Sequence, residues 1–257
     1  MTKISAAIIA YNEEKHIART LQSLQSIADE IVVIINDNST DKTEQICLQF
    51  GAVIFKNKFE TYGKQKQFAV AKCTHNLILS IDADEAIDNI LTKELEQIKT
   101  TPIADGYTIG IKNFYCGKWM QFGGINSTKR LRIFNKQKGN WNNAAVHEKI
   151  ELAEISNIIH LKGNILHIAY ESKAEHINKL KKYAALNAQK LSAKSKPYLF
   201  FKLLISPISK FITSYFLKLG FMEGMQGLQF AYLMSYETWL KYKTAMQMKN
   251  LTHKTAF

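Results

Sequence analysis

The feature that most constrains the fold is a regular alternation of strand and helix patterns over the first hundred residues. Apolar runs rich in β-branched residues predict strands at 4–10, 30–36, 52–56 and 76–82. The segments between them carry helical periodicity or capping residues and predict helices at 13–28, 39–51 and 64–73. Strands that alternate with helices form mostly parallel sheets with right-handed crossovers. The sequence therefore predicts an α/β fold.

The second half of the chain differs in pattern and in charge. From about residue 106 it reads as short strands joined by Gly-rich loops, and from Ser172 it becomes helical and basic. Residues 1–171 hold 20 Lys and Arg against 19 Asp and Glu, whereas residues 172–257 hold 14 Lys and three Glu. Nearly all of the net charge of +12 thus lies in the last third. We predict two domains, 1–171 and 172–257.

Three of the predicted strands end in polar clusters. These are "YNEE" at 11–14, "NDNSTD" at 36–41 and "DADE" at 82–85. Ligands of parallel α/β sheets bind beyond the carboxyl ends of the strands. We therefore expect the three clusters to converge on one cleft.

The last of these clusters suggests a metal site. Asp82 and Asp84 are separated by one residue at a strand end, so their side chains point the same way. Adjacent carboxylates repel unless a cation lies between them, and oxygen ligands suit Mg²⁺ or Mn²⁺. The alternative is a solvated turn whose acids, including Glu85, favour the start of a following helix at 86–98. Two other predicted strands also end in polar clusters that should face the same cleft, and this favours the metal site over the solvated turn.

Four segments resemble a known family. "AAIIAYNEEKHI", "VVIINDNSTDKT", "KQKQFAV" and "LSIDADE", in this order and spacing, resemble the family 2 glycosyltransferases with the GT-A fold, a Rossmann-like sheet with helices on both faces. The run from "GKWMQFGG" to "AAVHE", residues 117–148, resembles the branch that adds glucose or heptose to the lipopolysaccharide inner core. The resemblance covers roughly residues 3–185. It implies a nucleotide-sugar donor, a divalent metal and inversion at the anomeric carbon.

The resemblance places the nucleoside end of the donor against the first two polar clusters. It implies donor contacts for Tyr11, Asn12 and Glu13, although Asn12 and Glu13 could also cap the following helix. Asn36 and Asp37 would contact the base or ribose. The family usually has Asp at the position of Asn36, and an amide both donates and accepts hydrogen bonds, so nucleotide recognition can differ in this chain.

Cationic side chains would bind the donor diphosphate. The resemblance places Lys66 beside it, with Lys64 a candidate for either this role or a solvated surface residue. Arg132 matches the arginine of the family better than Arg130, and a guanidinium fork suits a diphosphate or an acidic acceptor. Asp82 would face the ribose or a metal-bound water.

The metal and the reacting groups complete the predicted site. Asp84 would bind the metal, and His167 is either a further metal ligand or a hydrogen-bonded core histidine. Transfer needs a base for the acceptor hydroxyl, and carboxylates do this work in the related chemistry of glycoside hydrolysis. Glu148 is the candidate base, with His147 to orient it, contact phosphate or bind metal.

The basic C-terminal third predicts contact with a membrane. The apolar stretch 197–221 contains Lys202, Lys210 and Lys218 at intervals of eight residues and is interrupted by Pro207, which favours a pair of surface helices over a spanning helix. Lysines are attracted to anionic lipid surfaces. The alternative is a helical subdomain with a solvated basic face.

These observations define one expected function and its rivals. We expect a cytoplasmic enzyme at the inner face of a bacterial membrane that moves a sugar from a UDP-sugar to a lipid-linked glycan such as lipopolysaccharide core. The short run 4–10 favours a strand over a signal peptide, and three scattered cysteines favour a reducing compartment. A nucleotidyltransferase built on the same sheet is a rival enzyme. It would need a Gly-rich, basic phosphate loop near the N terminus, and the sequence has none there, which argues against it. A non-catalytic module binding nucleic acid or anionic membrane would explain the tail but not the carboxylates, so we expect no nucleic acid partner.

Overall fold

The computed structural model describes residues 1–144, 148–153 and 156–254. The described residues form two compact units. The first comprises Met1–Lys112 and Ser127–His167, and the second comprises Asn113–Asn126 and the described residues from Ile168 onward. The predicted division into domains at residues 171 and 172 stays a prediction.

The strands of the described chain, in order, are β1 (Ile4–Ala10), β2 (Glu30–Asn36), β3 (Val53–Asn57), β4 (Leu77–Asp82), β5 (Glu85–Ile87), β6 (Gly106–Tyr115), β7 (Lys118–Trp119), β8 (Ser127–Asn135), β9 (Gly139–Trp141), β10 (Ile150–Leu152) and β11 (Ile158–Tyr170). The main sheet has the order β3-β2-β1-β4-β8-β6-β11-β5. Strands β1 to β4 pair in parallel, β8 pairs antiparallel with β4 and β6, and β5 pairs antiparallel with β11. The predicted α/β class, with a Rossmann-like parallel half, is confirmed.

The helices of the described chain are α1 (Ile17–Leu24), α2 (Thr43–Gln49), α3 (Tyr62–Lys72), α4 (Asn89–Thr100), α5 (Lys173–Leu191), α6 (Lys196–Ile212) and α7 (Met225–Lys254). In the first unit they cover both faces of the sheet. One apolar core joins the even-numbered residues of β1 to α1, α2 and α4 through side chains such as Leu21 and Leu95. The other joins Ala7 to Val70 of α3. The alternation of side chains along each strand supplies both cores.

The segment after β4 differs from its prediction. The sequence predicts a helix from residue 86, but Glu85–Ile87 form β5, which pairs with β11 in the register His167 to Glu85. Helix α4 starts only at Asn89, where Asp88 caps it by accepting the N–H of Leu91. Pairing with a strand about 80 residues away overrides the local helical pattern. This strand also fixes the backbone of Glu85 in the sheet.

The predicted break at Pro207 is wrong. In the second unit α6 continues through Pro207 to Ile212, and the chain turns later, in a π-helical turn at Thr213–Leu217 and a 3₁₀ turn at Gly220–Glu223. Leu219 and Gly224 adopt positive φ angles of 55° and 66° in this turn. Of the helices in the described part of the chain, one stretch, Lys196–Leu217, is long and apolar enough to cross a membrane by length and composition.

Two of the three cysteines, Cys47 and Cys73, pack in the apolar cores of the first unit. Among the described residues Cys47, Cys73 and Cys116 are free thiols, and the first two are buried. Burial raises the pKa of Cys47 and of Cys73 to about 12. These thiols therefore stay protonated and serve packing.

A buried carboxylate anchors the turn of the second unit. Glu223 is 3% exposed, and its Oε1 accepts the N–H of Gln121 at 2.6 Å and that of Phe122 at 2.8 Å. Its Oε2 lies 2.6 Å from Lys118 Nζ. Burial alone would raise the pKa of Glu223, but the bonds from Lys118 and the two backbone groups lower it below its ordinary value.

Replacing Glu223 by glutamine is expected to lower the free energy of unfolding by about 1.5–3 kcal/mol at neutral pH. Because the pKa of Glu223 is lower in the folded protein, its contribution is present above the unfolded value of about 4.3 and is lost as the pH falls through the folded value. Urea denaturation as a function of pH should thus give a difference that shrinks in acid, whereas Glu96→Gln on the exposed side of α4 should differ little at any pH. A Glu223→Gln effect independent of pH would refute this account of the turn.

Candidate active site

The parallel strands bring the three polar clusters to one edge of the sheet. β1 pairs with β2 in the register Ala10 to Ile35 and with β4 in the register Ile9 to Asp82. The residues that follow each strand therefore lie side by side at the carboxyl edge. The predicted convergence of the clusters is observed within the first unit.

Asp82 is held between two cations. Its Oδ1 lies 3.0 Å from Lys66 Nζ, from α3, and its Oδ2 lies 3.2 Å from Arg132 Nη2, from β8. Lys66 and Arg132 are 6% and 7% exposed. Burial alone would raise the pKa of Asp82, but Lys66 and Arg132 hold it well below its usual range. Asp82 is therefore an anion whose charge is already matched by protein groups.

Arg132 also binds Glu85. The sequence indicates Glu85 only as an acid that favours the start of a following helix. Arg132 Nη2 lies 2.8 Å from Glu85 Oε1, and Glu85 Oε2 accepts the N–H of Asp82 at 2.9 Å. Glu85 is 3% exposed, and its burial raises its pKa more than Arg132 lowers it. Glu85 thus fixes both Arg132 and the backbone at the end of β4. The contact of Arg132 with a donor diphosphate stays a prediction.

Lys66 links Asp82 to Glu148. Lys66 Nζ lies 3.2 Å from Glu148 Oε1 and 4.4 Å from the centre of the Trp141 ring. Trp141 is buried in the core, where its Nε1 donates to Ser80 Oγ at 3.2 Å. The sequence predicts separate roles for Lys66 and Glu148, but in the structure they are in contact. Helix α3 carries Lys66 towards the segment that follows β9. His147, the predicted partner of Glu148, lies outside the described residues.

Asp84 and His167 form a second contact at this edge. His167 Nε2 lies 3.2 Å from Asp84 Oδ2, and both side chains are about one third exposed, at 31% and 29%. Burial alone would lower the pKa of His167, but Asp84 raises it above its ordinary value. Among the described residues no group of three or more His, Cys, Asp or Glu is placed to hold a metal ion. The protein thus supplies one carboxylate and one imidazole side by side, both reachable from solvent.

The loops after β1 and β2 are tied to each other. Asn12 adopts φ 54°, and its Oδ1 accepts the N–H of Thr40 at 2.8 Å and the hydroxyl of Ser39 at 3.0 Å. Asp41 Oδ1 accepts the N–H of Thr43, the first residue of α2, at 3.0 Å, and its Oδ2 accepts the N–H of Glu14 at 2.9 Å. The side chain of Asn12 therefore builds the loop pair, a role that the sequence did not reveal.

The remaining predicted residues lie on these loops or on the surface. Tyr11 is 54% exposed, and Asp37 is exposed. Asn36 Oδ1 accepts the N–H of Asn38 at 3.1 Å, which closes a tight turn. Lys64 forms a surface ion pair with Glu60, unlike the buried Lys66. The nucleoside contacts of Tyr11, Asn12, Glu13, Asn36 and Asp37 stay predictions.

At this edge the charge of Asp82 is neutralised by Lys66 and Arg132, and two further sets of side chains lie beside it. Asp84 and His167 offer oxygen and nitrogen to a divalent cation, and Glu148 offers a carboxylate beside a buried ammonium group. A site of this type suits a ligand that carries phosphate groups and a hydroxyl to be deprotonated.

Comparison with known proteins gives the following similarities. The family model described as glycosyl transferase family 2 matches residues 5–149. An uncharacterized glycosyltransferase of Rickettsia typhi is 30% identical over 253 residues, which cover 94% of this chain and 86% of the relative. The lipopolysaccharide core biosynthesis glycosyltransferase LpsC of Rhizobium meliloti is 28% identical over 245 residues, covering 90% of this chain and 89% of LpsC.

Among solved structures, glucosyl-3-phosphoglycerate synthase from Mycobacterium tuberculosis, in complex with Mn²⁺, uridine diphosphate and phosphoglyceric acid, is similar over 45% of this chain and 44% of its own. The TM-score is 0.36, and the sequence identity is 22%.

Proposed function

This chain belongs to glycosyl transferase family 2, and on that premise we propose that it moves a sugar from a UDP-sugar to a lipid-linked surface glycan such as the core of lipopolysaccharide, with inversion. Membership of this family decides for an enzyme over the non-catalytic basic module. The observation that carries the proposal is the edge of the sheet where Asp82, Lys66 and Glu148 are linked beside Asp84 and His167.

Asp84 and His167 fit the metal that the family resemblance implies, which would be Mg²⁺ or Mn²⁺. Both are accessible and adjacent, whereas Asp82 has each oxygen in contact with a protein cation. Two protein ligands suit an ion that completes its shell with water and substrate phosphates. When bound, the cation supplies Lewis-acid stabilisation of negative charge on the departing nucleoside diphosphate.

Glu148 would act as the base of an inverting transfer. The acceptor hydroxyl oxygen bonds to the anomeric carbon, the bond from that carbon to the diphosphate oxygen breaks, and its electron pair leaves with the nucleoside diphosphate. The proton of the hydroxyl passes to the Glu148 carboxylate. Lys66, 3.2 Å from Glu148 and 3.0 Å from Asp82, would hold the carboxylate in place between the donor and acceptor sides.

The loops at the sheet edge, the relative LpsC and the basic C-terminal third support the donor and the acceptor. Tyr11, Asn12, Glu13, Asn36 and Asp37 would contact the nucleoside, because their loops stand at the same edge as Asp84. The acceptor assignment draws on the relative LpsC, named for lipopolysaccharide core biosynthesis, and on the basic C-terminal third. Both support the proposal that the enzyme acts in the cytoplasm, at the inner face of the bacterial cytoplasmic membrane.

Replacing Asp84 by asparagine is expected to weaken UDP binding in the presence of Mn²⁺ by about tenfold or more, because one anionic metal ligand is lost. Calorimetric titration of UDP with and without Mn²⁺ measures this directly and needs no acceptor. Binding without metal should be unchanged, and Glu96→Gln, an exposed acid on α4, should behave as the wild type. If Asp84→Asn binds UDP with full metal dependence, the assignment of Asp84 is wrong.

A further inference from the structure

Helix α6 carries an exposed apolar face. Its large side chains on this face are between 43% and 62% exposed and recur at intervals of three to four residues, which places them on one side of the helix: Phe200, Phe201, Leu204, Ile205, Ile208 and Ile212. The opposite side is buried, where Leu199 packs with Ala188 of α5 and with Tyr242 and Ala245 of α7. One side of α6 therefore packs on protein, and the other presents a row of apolar groups to its surroundings.

The exposed apolar groups continue into the turn after α6. Phe216 and Leu217 are 53% and 73% exposed, and Met222 and Met225 are 55% and 72% exposed. Isolated exposed apolar residues are normal on proteins, but a contiguous set of this size marks an interaction surface. We call the exposed face of α6 together with this turn the apolar ridge.

The charge around the apolar ridge selects its partner. Residues 176–222 of the sequence contain nine lysines and neither Asp nor Glu. Lys196, Lys210 and Lys218 are exposed. A second copy of the chain would bring like charges together at such a surface. An anionic lipid surface attracts nearby lysines and also takes up apolar side chains.

The positions of two lysines favour a helix lying along the bilayer over one crossing it. Lys202 and Lys210 are eight residues apart, about 12 Å along the axis, in the interior of a 22-residue segment about 33 Å long. A crossing would place both near or within a hydrocarbon core about 30 Å thick. In addition, the side of α6 that contains Leu199 is already covered by α5 and α7.

We propose that α6 lies in the plane of an anionic phospholipid surface and inserts Phe201, Leu204 and Ile208 below the headgroups, with its lysines at the level of the phosphates. This inference rests on the proposed function in one respect, which is that a lipid-linked acceptor would be reached from this surface. The binding itself requires neither donor nor acceptor.

The test measures sedimentation of the full-length protein with phosphatidylcholine vesicles that contain or lack phosphatidylglycerol. Wild type should bind the anionic vesicles and bind the neutral ones weakly. The double variant Phe201→Ser, Ile208→Ser removes side chains that are 58% and 62% exposed, and its affinity should fall about tenfold or more. The matched control Leu48→Ser, Ile103→Ser removes two side chains of the first unit that are each 62% exposed, and it should bind like the wild type.

Several outcomes would overturn the inference. Equal binding of Phe201→Ser, Ile208→Ser and wild type would show that the apolar ridge is not inserted. If wild type forms an oligomer without lipid and this variant is monomeric, the partner is a second copy. Resistance of the wild type to alkaline extraction from cell membranes would indicate a spanning helix.

UDP titration on the same preparations separates the membrane proposal from the proposed donor site. Wild type that binds UDP but no vesicles refutes only the membrane surface. Wild type that binds vesicles but no UDP refutes only the donor site.

Discussion

Replacing Glu148 by glutamine is expected to slow sugar transfer by about 10²–10⁴-fold, which is the usual contribution of a general base. The amide keeps the size of the side chain and an oxygen that can face Lys66, 3.2 Å away in the wild type. It cannot accept the proton of the acceptor hydroxyl. Transfer from a UDP-sugar to lipopolysaccharide extracts measures the rate, and calorimetry should give unchanged affinity for UDP.

The neighbouring Glu151 provides a control for this experiment. It is 56% exposed and pairs with Lys149 at the surface, so Glu151→Gln should transfer at the wild-type rate. A Glu148→Gln enzyme that transfers normally would remove Glu148 from the chemistry. A variant that fails to bind UDP as well would instead assign Glu148 to the donor site.

Replacing Arg132 by methionine is expected to lower the free energy of unfolding by about 3–5 kcal/mol, because it leaves the buried Glu85 carboxylate without its cation. Within the described residues Glu85 would lose its ion pair with Arg132, at 2.8 Å, and Asp82 would keep its ion pair with Lys66. Urea denaturation at neutral pH measures the loss. The loss is large for a single substitution because the Glu85 carboxylate left behind is 3% exposed.

A second substitution tests the cause of this loss. Glu85→Gln in the Arg132→Met background removes the uncompensated charge of Glu85 and should recover part of the stability. Arg130→Met, on the same strand but exposed, should change stability by about 0.5 kcal/mol or less. Equal effects of Arg132→Met and Arg130→Met would contradict the role of the buried guanidinium.

Much of the fold could be predicted because local patterns and tertiary contacts agree in the first half of the chain. Strands β1 and β2 have the predicted bounds, since continuous β-branched runs suit strands buried on both faces. The polar ends of β1, β2 and β4 converge as expected, because parallel neighbours share one carboxyl edge.

The errors arose where distant segments decide the structure. β5 forms because β11 pairs with it, and nothing near Glu85 indicates that partner. Proline is tolerated outside the first turns of a helix when packing holds the helix together. Pro207 lies within α6 because α6 packs against α7. The carbonyl of Pro207 accepts the hydroxyl of Ser235, from α7, at 2.8 Å. Contacts of this kind have no signature in a single sequence.

The site shows the same division. The residue types at Asp82, Lys66, Arg132 and Glu148 were singled out from their motifs, and the structure brings all four into one linked set. Two of their contacts could not be predicted from local pattern, because Arg132 lies 50 positions from Asp82 and Glu148 lies 82 positions from Lys66. The buried Glu85 was missed as a site residue for the same reason: its partner Arg132 lies 47 positions away.

The most direct test of the central claim is a crystal structure of the protein with UDP and Mn²⁺, with anomalous scattering measured at the manganese edge. We expect one manganese peak in contact with Asp84 and His167, a UDP diphosphate bound to the same ion, and the nucleoside against the loops after β1 and β2. Manganese bound away from Asp84, or UDP bound away from the carboxyl edge of β1, β2 and β4, would contradict the proposed donor site.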